Sequence, residues 1–262
     1  TTNPFQITSE NQITLGGTSS SNLGNNNNIG GEEPEDFDNT TTRILPSAFP
    51  KGFKSFYCMK YEVTQEQYTE FLNTLTRLQQ MSKVNSDISG TVANPVGALG
   101  GTFHNQYRNG IVSDYNLPHI SIPVTFYHDL NSNGIYNEIN DGQNLACNYL
   151  NYDDGAAYSD WAGLRPMTEL EYEKAGRGPL TPVPNEYAWG TTFIAGPTNI
   201  INSGAANEIP DIANTNAATG LGNIGATRVG MFATVNTTRE MSGASYYGVM
   251  DLTVSLWERT IA

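Results

Sequence analysis

The sequence predicts a mixed α+β fold in which short helices and short antiparallel strands are joined by long loops. Three observations lead there. Helix starts are announced by capping boxes, yet the apolar stripe behind each runs only a few turns. Strand-like alternation comes in equally short pieces. Between these pieces lie long stretches of small and amide-bearing residues, for the chain of 262 residues holds 26 Gly and 29 Asn.

Residues 1–49 read as a Gly/Asn/Ser-rich linker or N-terminal arm, set apart from a folded domain over 50–262. The run from Gly16 to Asn28 carries too few apolar side chains to bury a core, and Glu32, Glu33, Glu35 and Asp36 make an acidic patch behind it. Inside this stretch Phe5-Gln6-Ile7-Thr8 and Gln12-Ile13-Thr14-Leu15 alternate like short strands. The first residue is not Met, as expected of a processed or excised piece of a longer product.

From Phe53 the pattern becomes that of a domain. Phe53, Phe56, Tyr57, Met59, Tyr61 and Val63 read as a strand. Thr64 with Gln67 forms a capping box, and Tyr68, Phe71, Leu72, Leu75 and Leu78 then fall on one face of a single helix. Residues 82–122 carry turn formers and read as a surface excursion, after which Ile122 to Tyr127 resumes as a strand. Asp153-Asp154 opens a second helix that passes through Ala156, Ala157, Tyr158 and Trp161 and stops at Gly163. Thr168 with Glu171 caps a third, with Met167 placed to staple onto Tyr172 and Gly176 and Gly178 ending it. Beyond Gly190 few regular elements are expected before Val229.

Charge narrows the function classes. There are 26 acidic and 13 basic residues, a net charge of −13, and charged residues are only 15% of the chain, against roughly 25% in an ordinary soluble domain. Neutral amides and hydroxyls supply the polar surface instead. Binding to a nucleic-acid backbone is excluded on this balance, as is adhesion to an anionic membrane. No stretch approaches the ~18 apolar residues of a membrane helix. Cys58 and Cys147 alone are neither a disulfide framework nor a zinc site. They form one bridge across a long loop, or stay as two buried thiols; the sequence leaves both open.

The strongest local signal for chemistry is Asp129-Leu130-Asn131-Ser132-Asn133-Gly134, which follows the D-x-N-x-N-G pattern of a calcium loop. Oxygen ligands recur at alternate positions, and Gly in sixth place permits the sharp turn. Asp129, Asn131 and Asn133 would bind through side chains, Ile135 through its carbonyl and Asn137 directly or through water. Asn140 stands where a bidentate Glu belongs, with Asp141 one further, so weak binding on the order of 10⁻⁴ to 10⁻³ M is expected. Gly220-Leu221-Gly222-Asn223-Ile224-Gly225 matches G-x-G-x-x-G but follows no strand and opens no helix, so it reads as a loop. His104, His119 and His128 lack metal-binding spacing, and no nucleophile motif appears. No catalytic or cofactor-binding residue is singled out. Trp161, Trp189 and Trp257 are expected in the core.

Five segments in order resemble a known family: Phe56 through Tyr68; Ala156 through Ala175 with its Trp-Ala-Gly-Leu-Arg-Pro-Met-Thr centre; Tyr187-Ala188-Trp189-Gly190; Arg228-Val229-Gly230; and Tyr247 through Leu252 with Trp257-Glu258. They are similar to the formylglycine-generating enzyme (sulfatase-modifying factor) superfamily, whose irregular fold is related to C-type lectins. The resemblance implies further calcium positions at Asn199-Ile200 and around Asp251. It also implies one of three activities: a copper-dependent oxidase that converts a substrate cysteine to formylglycine, an iron-dependent sulfoxide synthase, or a binding domain that displays a variable surface. The oxidases carry their redox cysteine pair after the Trp-Glu motif, in a catalytic C-terminal segment absent from this chain, and Cys58 and Cys147 do not match that pair. Ser255 stands where the family has Asn. These departures favour a non-catalytic extracellular domain with structural calcium at a bacterial cell surface, binding protein or glycan or assembling with itself. Copper belongs only to the oxidase alternative.

Overall fold

A computed structural model describes residues 4–24, 41–89, 97–100, 106–114, 121–222 and 224–262. The run from Asn25, the acidic patch from Glu32, and His104 and His119 lie outside the described residues. Within the stretch read as linker or arm, β1 (Ile13–Gly16) pairs antiparallel with β2 (Thr42–Leu45), Ile13 facing Leu45. Glu10 ties this piece to the rest: its carboxylate accepts from the main-chain N–H of Lys51 at 2.7 Å and of Lys54 at 3.0 Å. The buried Lys51 ammonium donates in turn to the carbonyls of Pro46 (2.7 Å) and Phe49 (2.9 Å).

The strand expected over Phe53 to Val63 does not form. That segment has only an isolated bridge at its end, Thr64 to Ala146, and Tyr57 is fully exposed. Apolar alternation marks a strand only where a partner lies alongside, and here single main-chain bonds at Lys60 (from Met250) and Val63 (from Cys147) hold the chain instead. Helix α1 (Gln65–Thr74) begins as predicted, with Thr64 and Gln67 satisfying each other's main-chain N–H. It is shorter than its stripe suggested. Leu75 is extended, Thr76 pairs with Gln79 in a second capping box, and α2 (Arg77–Met81) starts afresh with Leu78 turned out to solvent.

The main core lies between α1, the antiparallel pair β3 (Ile111–Asp114) and β4 (Thr125–His128), and α3 (Tyr152–Trp161). Tyr68, Phe71 and Leu72 of α1 meet Ile111, Phe126 and Tyr158, with Phe71 and Tyr158 edge to face at 5.9 Å. The reading of residues 82–122 as a surface excursion therefore needs correction. Ile88, Leu99 and Ile111 are fully buried there, and β3 is a core strand.

Much of this backbone is satisfied by side-chain amides rather than by sheet ladders. Asn73 takes the N–H and the C=O of Phe126 at 2.8 and 3.1 Å, and Gln80 does the same for Val124 at 3.0 and 2.9 Å. Gln65 clasps the Gly110 N–H and the Arg108 carbonyl, both at 2.8 Å. An amide offers one acceptor and two donors, so it completes a peptide group as a neighbouring strand would. The neutral amides read as surface polarity thus also hold the interior.

A second cluster packs α4 (Glu169–Arg177) through Ala175, Tyr172 and Met167 against Val249 and Leu252. Its start carries the expected capping box, and Glu171 also holds Arg165 in a two-pronged ion pair at 2.7 Å on each side. The last third is irregular apart from β5 (Ile200–Ile201), its partner β6 (Ile209–Pro210) and α5 (Arg239–Ser242). Fully buried Glu208 gathers it, accepting from the Arg108 guanidinium and from the N–H groups of Gly204 (2.7 Å) and Arg228 (2.8 Å).

Candidate functional site

A cleft of about 560 Å³ opens between the start of α3, the chain before α1 and the segment after Leu252; Tyr149, Tyr152 and Trp257 stand on its walls with Glu62 and Glu258 among them. All three Trp were expected in the core, and only Trp189 is there, 2% exposed. Trp161 is 44% exposed beside Phe71 and Tyr158, and Trp257 is 92% exposed at the cleft. A motif position in the sequence does not distinguish a ring packed on its neighbours from one offered to a ligand.

Two carboxylates, Glu62 and Glu258, line the cleft, and a third, Asp251, interacts electrostatically with both. Glu62 accepts from the Ser255 hydroxyl at 3.0 Å and the Leu256 N–H at 3.2 Å. Asp251, in left-handed backbone at φ 64°, accepts from the Gly230 N–H at 2.6 Å. Burial, and then the charges of Asp251 and Glu258, push the Glu62 carboxyl up to about 8. Burial and then Asp251 push Glu258 to about 7. Burial pushes Asp251 to about 6, against the pull of the Gly230 N–H and Arg228. Glu62 and Asp251 are half-buried and Glu258 is exposed, so what the three share is mutual negative charge, with Arg228 as the positive neighbour pulling the other way at Asp251. A divalent cation would supply the missing positive charge; Asp251 is the position the resemblance indicates, and Glu258 and Glu62 are the carboxylates whose charge couples to it. Among the described residues no three His, Cys, Asp or Glu side chains come together in a group that could hold a metal ion.

At the other position the resemblance indicates, the Asn199 side-chain oxygen accepts from the Ile200 N–H at 2.8 Å. Asp211, which sequence reasoning passed over, stands alongside: its N–H donates to the Asn199 carbonyl, and its carboxylate takes the Thr198 N–H and hydroxyl at 3.0 and 2.6 Å. The only sequence signal for Asp211 is the Thr198 partner that it reaches across β5 and β6.

The loop 129–141 is built on its own hydrogen bonds. Asp129 accepts from the N–H groups of Asn133 (3.1 Å) and Gly134 (3.2 Å), Asn131 from Asn133 (3.0 Å), and Asn133 from Ile135 (2.7 Å). Asn137 faces elsewhere. Its amide oxygen accepts from the His128 N–H at 3.0 Å and lies 3.2 Å from His128 Nδ1, while His128 Nε2 meets the Thr69 hydroxyl on α1 at 3.1 Å. His128 is thereby a buried clasp, and burial lowers its pKa.

Cys58 and Cys147 are free thiols in different apolar clusters, Cys147 against α1 and α3 and Cys58 against α4. Burial raises both thiols, most strongly Cys147. They offer copper no cysteine pair. The G-x-G-x-x-G segment, whose Asn223 lies outside the described residues, holds only the short turn Ala218–Leu221 and no helix to receive a phosphate.

These features define an irregular α+β domain built on capped short helices and amide clasps, with a carboxylate-floored cleft. Residues 13–261 match the family described as the sulfatase-modifying factor enzyme 1-like domain, and the chain belongs to that family. No curated protein and no solved structure is significantly similar to it.

Proposed function

We propose that the domain is a non-catalytic binding module of a bacterial cell surface, stabilised by calcium at Asp251 and Glu258, which seats a glycan in the cleft. The observation that carries this reading is the cleft itself: an open Trp257 ring beside Tyr149 and Tyr152, with carboxylates and amides within the same walls. Sugar rings present an apolar face and a rim of hydroxyls, which aromatic faces and carboxylate or amide oxygens match together. The net charge of −13 favours neutral over acidic glycans.

Screening the full chain against neutral glycans in calcium, followed by calorimetry on the best binder, tests it. Trp257→Ala should abolish binding and leave the melting temperature unchanged, because the ring contributes little burial. Absence of any glycan binder, with a surface protein captured in the same cleft, would replace the glycan by a protein ligand. The oxidase reading instead demands copper uptake and oxygen-dependent modification of a cysteine peptide, and neither is expected of this domain.

A further inference from the structure

We infer that loop 129–141 is a second calcium site, independent of the cleft, with a ligand set of Asp129, Asn131, Asn133, the Ile135 carbonyl, Glu138 and Asp141. The sequence pattern supplies the first four at alternate positions, and Gly134 makes the turn at φ 78° with open space around it. The structure supplies the other two. Asn137, in the ninth position, is committed to His128. Glu138 takes over: its carboxylate lies inside the loop, within hydrogen-bond reach of the amide nitrogens of Asn131 (3.2 Å) and Asn133 (2.5 Å).

Asp141 points independently to a ligand. It is fully buried at 0% exposure, one carboxylate oxygen accepts from the Glu138 N–H at 2.7 Å, and the Asn131 N–H faces the same carboxylate. The other oxygen, Oδ1, has no partner at all. A buried, unpartnered carboxylate oxygen, on a side chain that takes the Glu138 N–H and feels the charges of Asp129 and Glu138, is costly unless something positive meets it. Hard oxygen donors of mixed charge, on a loop free to adopt seven-fold geometry, select calcium over softer metals. Asp141 in thirteenth place then does the work that a twelfth-place Glu does elsewhere, and the metal draws Glu138 and Asp141 toward Asp129. Because Asn137 holds His128 and His128 holds Thr69, closing the loop braces β4 against α1.

Terbium titration of the full chain, read through tyrosine-sensitised emission with calcium as competitor, tests the site. Tyr136 lies in the loop, stacked on Tyr127 at 5.2 Å, and serves as the antenna. Asp141→Asn and Glu138→Gln should each weaken binding about tenfold or more, since ligand charge sets affinity in such loops. Glu173→Gln, on the exposed face of α4 where it pairs with Arg177, should leave the titration unchanged. Should Asp141→Asn fail to fold, judged by far-ultraviolet circular dichroism, the exposed-loop variant Glu138→Gln decides. The inference is overturned by an absence of sensitised emission, or by a titration that Asp141→Asn and Glu138→Gln both leave unchanged. Failure of the cleft to bind a glycan changes none of these outcomes.

Discussion

Replacing Glu62 by Gln should stabilise the metal-free domain at neutral and alkaline pH and flatten its pH dependence. The folded domain holds the Glu62 proton up to about pH 8, against an ordinary value of 4.5. Between those values the folded state carries a proton that the unfolded chain has released, so stability falls as pH rises. The contribution is complete below pH ~4.5 and gone above pH ~8. Each pH unit removes at most ~1.4 kcal/mol, so the full span is worth at most roughly 5 kcal/mol. Water in the cleft screens part of this, leaving ~2–4 kcal/mol. Gln keeps the local geometry: its oxygen accepts the Leu256 N–H, and its nitrogen donates to the Ser255 hydroxyl, which turns to accept. Urea unfolding with a chelator at pH 5, 7 and 9 measures the effect. The wild-type chain should lose stability across the series, and Glu62→Gln should lose much less, keeping a shallow slope from Asp251 and Glu258. Parallel slopes, or a variant less stable than wild type at pH 9, would refute the electrostatic argument.

Three further outcomes follow from buried polar groups. Tyr68 buries its hydroxyl without a hydrogen-bond partner, so Tyr68→Phe should raise stability by up to ~1 kcal/mol in urea titrations, against the usual trend for core substitutions. Glu208→Gln strips the charge that Arg108 faces in the interior and should cost about 3–5 kcal/mol by the same measurement. Thr168→Ala removes the cap of α4 together with the hydrogen bond to the Pro50 carbonyl and should lower stability by ~1–2 kcal/mol.

The parts of the fold that were legible in the sequence are those that local chemistry decides. The capping boxes at Thr64 and Thr168 stand where the sequence put them, because a Thr and a Gln or Glu three residues on complete each other without outside help. Thr76 with Gln79 obeys the same rule, yet the apolar spacing through Leu75 and Leu78 concealed it, and one helix was expected where two form. Strand β3 was missed because only Ile111 and Val112 are apolar there, in a region otherwise rich in turn formers. The failed strand before α1 is the opposite case, since its alternation is strong but nothing pairs with it. Within the candidate site, the turn from Asp129 through Gly134 was legible because its Asp, Asn and Gly recur within one short segment and hydrogen-bond locally. Glu62 and Glu258 could not, for no spacing rule connects residues that only tertiary packing brings together, and Asp251 was reached only through the family resemblance. Nor does any sequence rule reveal that Asn137 spends its oxygen on His128 and leaves Glu138 inside the loop.

Thr168 also fixes how the domain would carry mechanical load. Its hydroxyl holds the Pro50 carbonyl, and the chain on either side of it bonds Ile261 through the Glu169 and Met167 main-chain groups at 3.0 and 2.9 Å. A pull on the chain at Pro50 and at Ile261 therefore meets at one helix cap and bypasses the core around Tyr68 and Phe126. The parallel Thr168–Ile261 bridge puts tension across a few main-chain bonds that must break together before any helix is stretched. Failure of this seam would free the adjoining segment that carries Trp257 and Glu258, so traction at Ile261 would take the cleft apart before it reached the core.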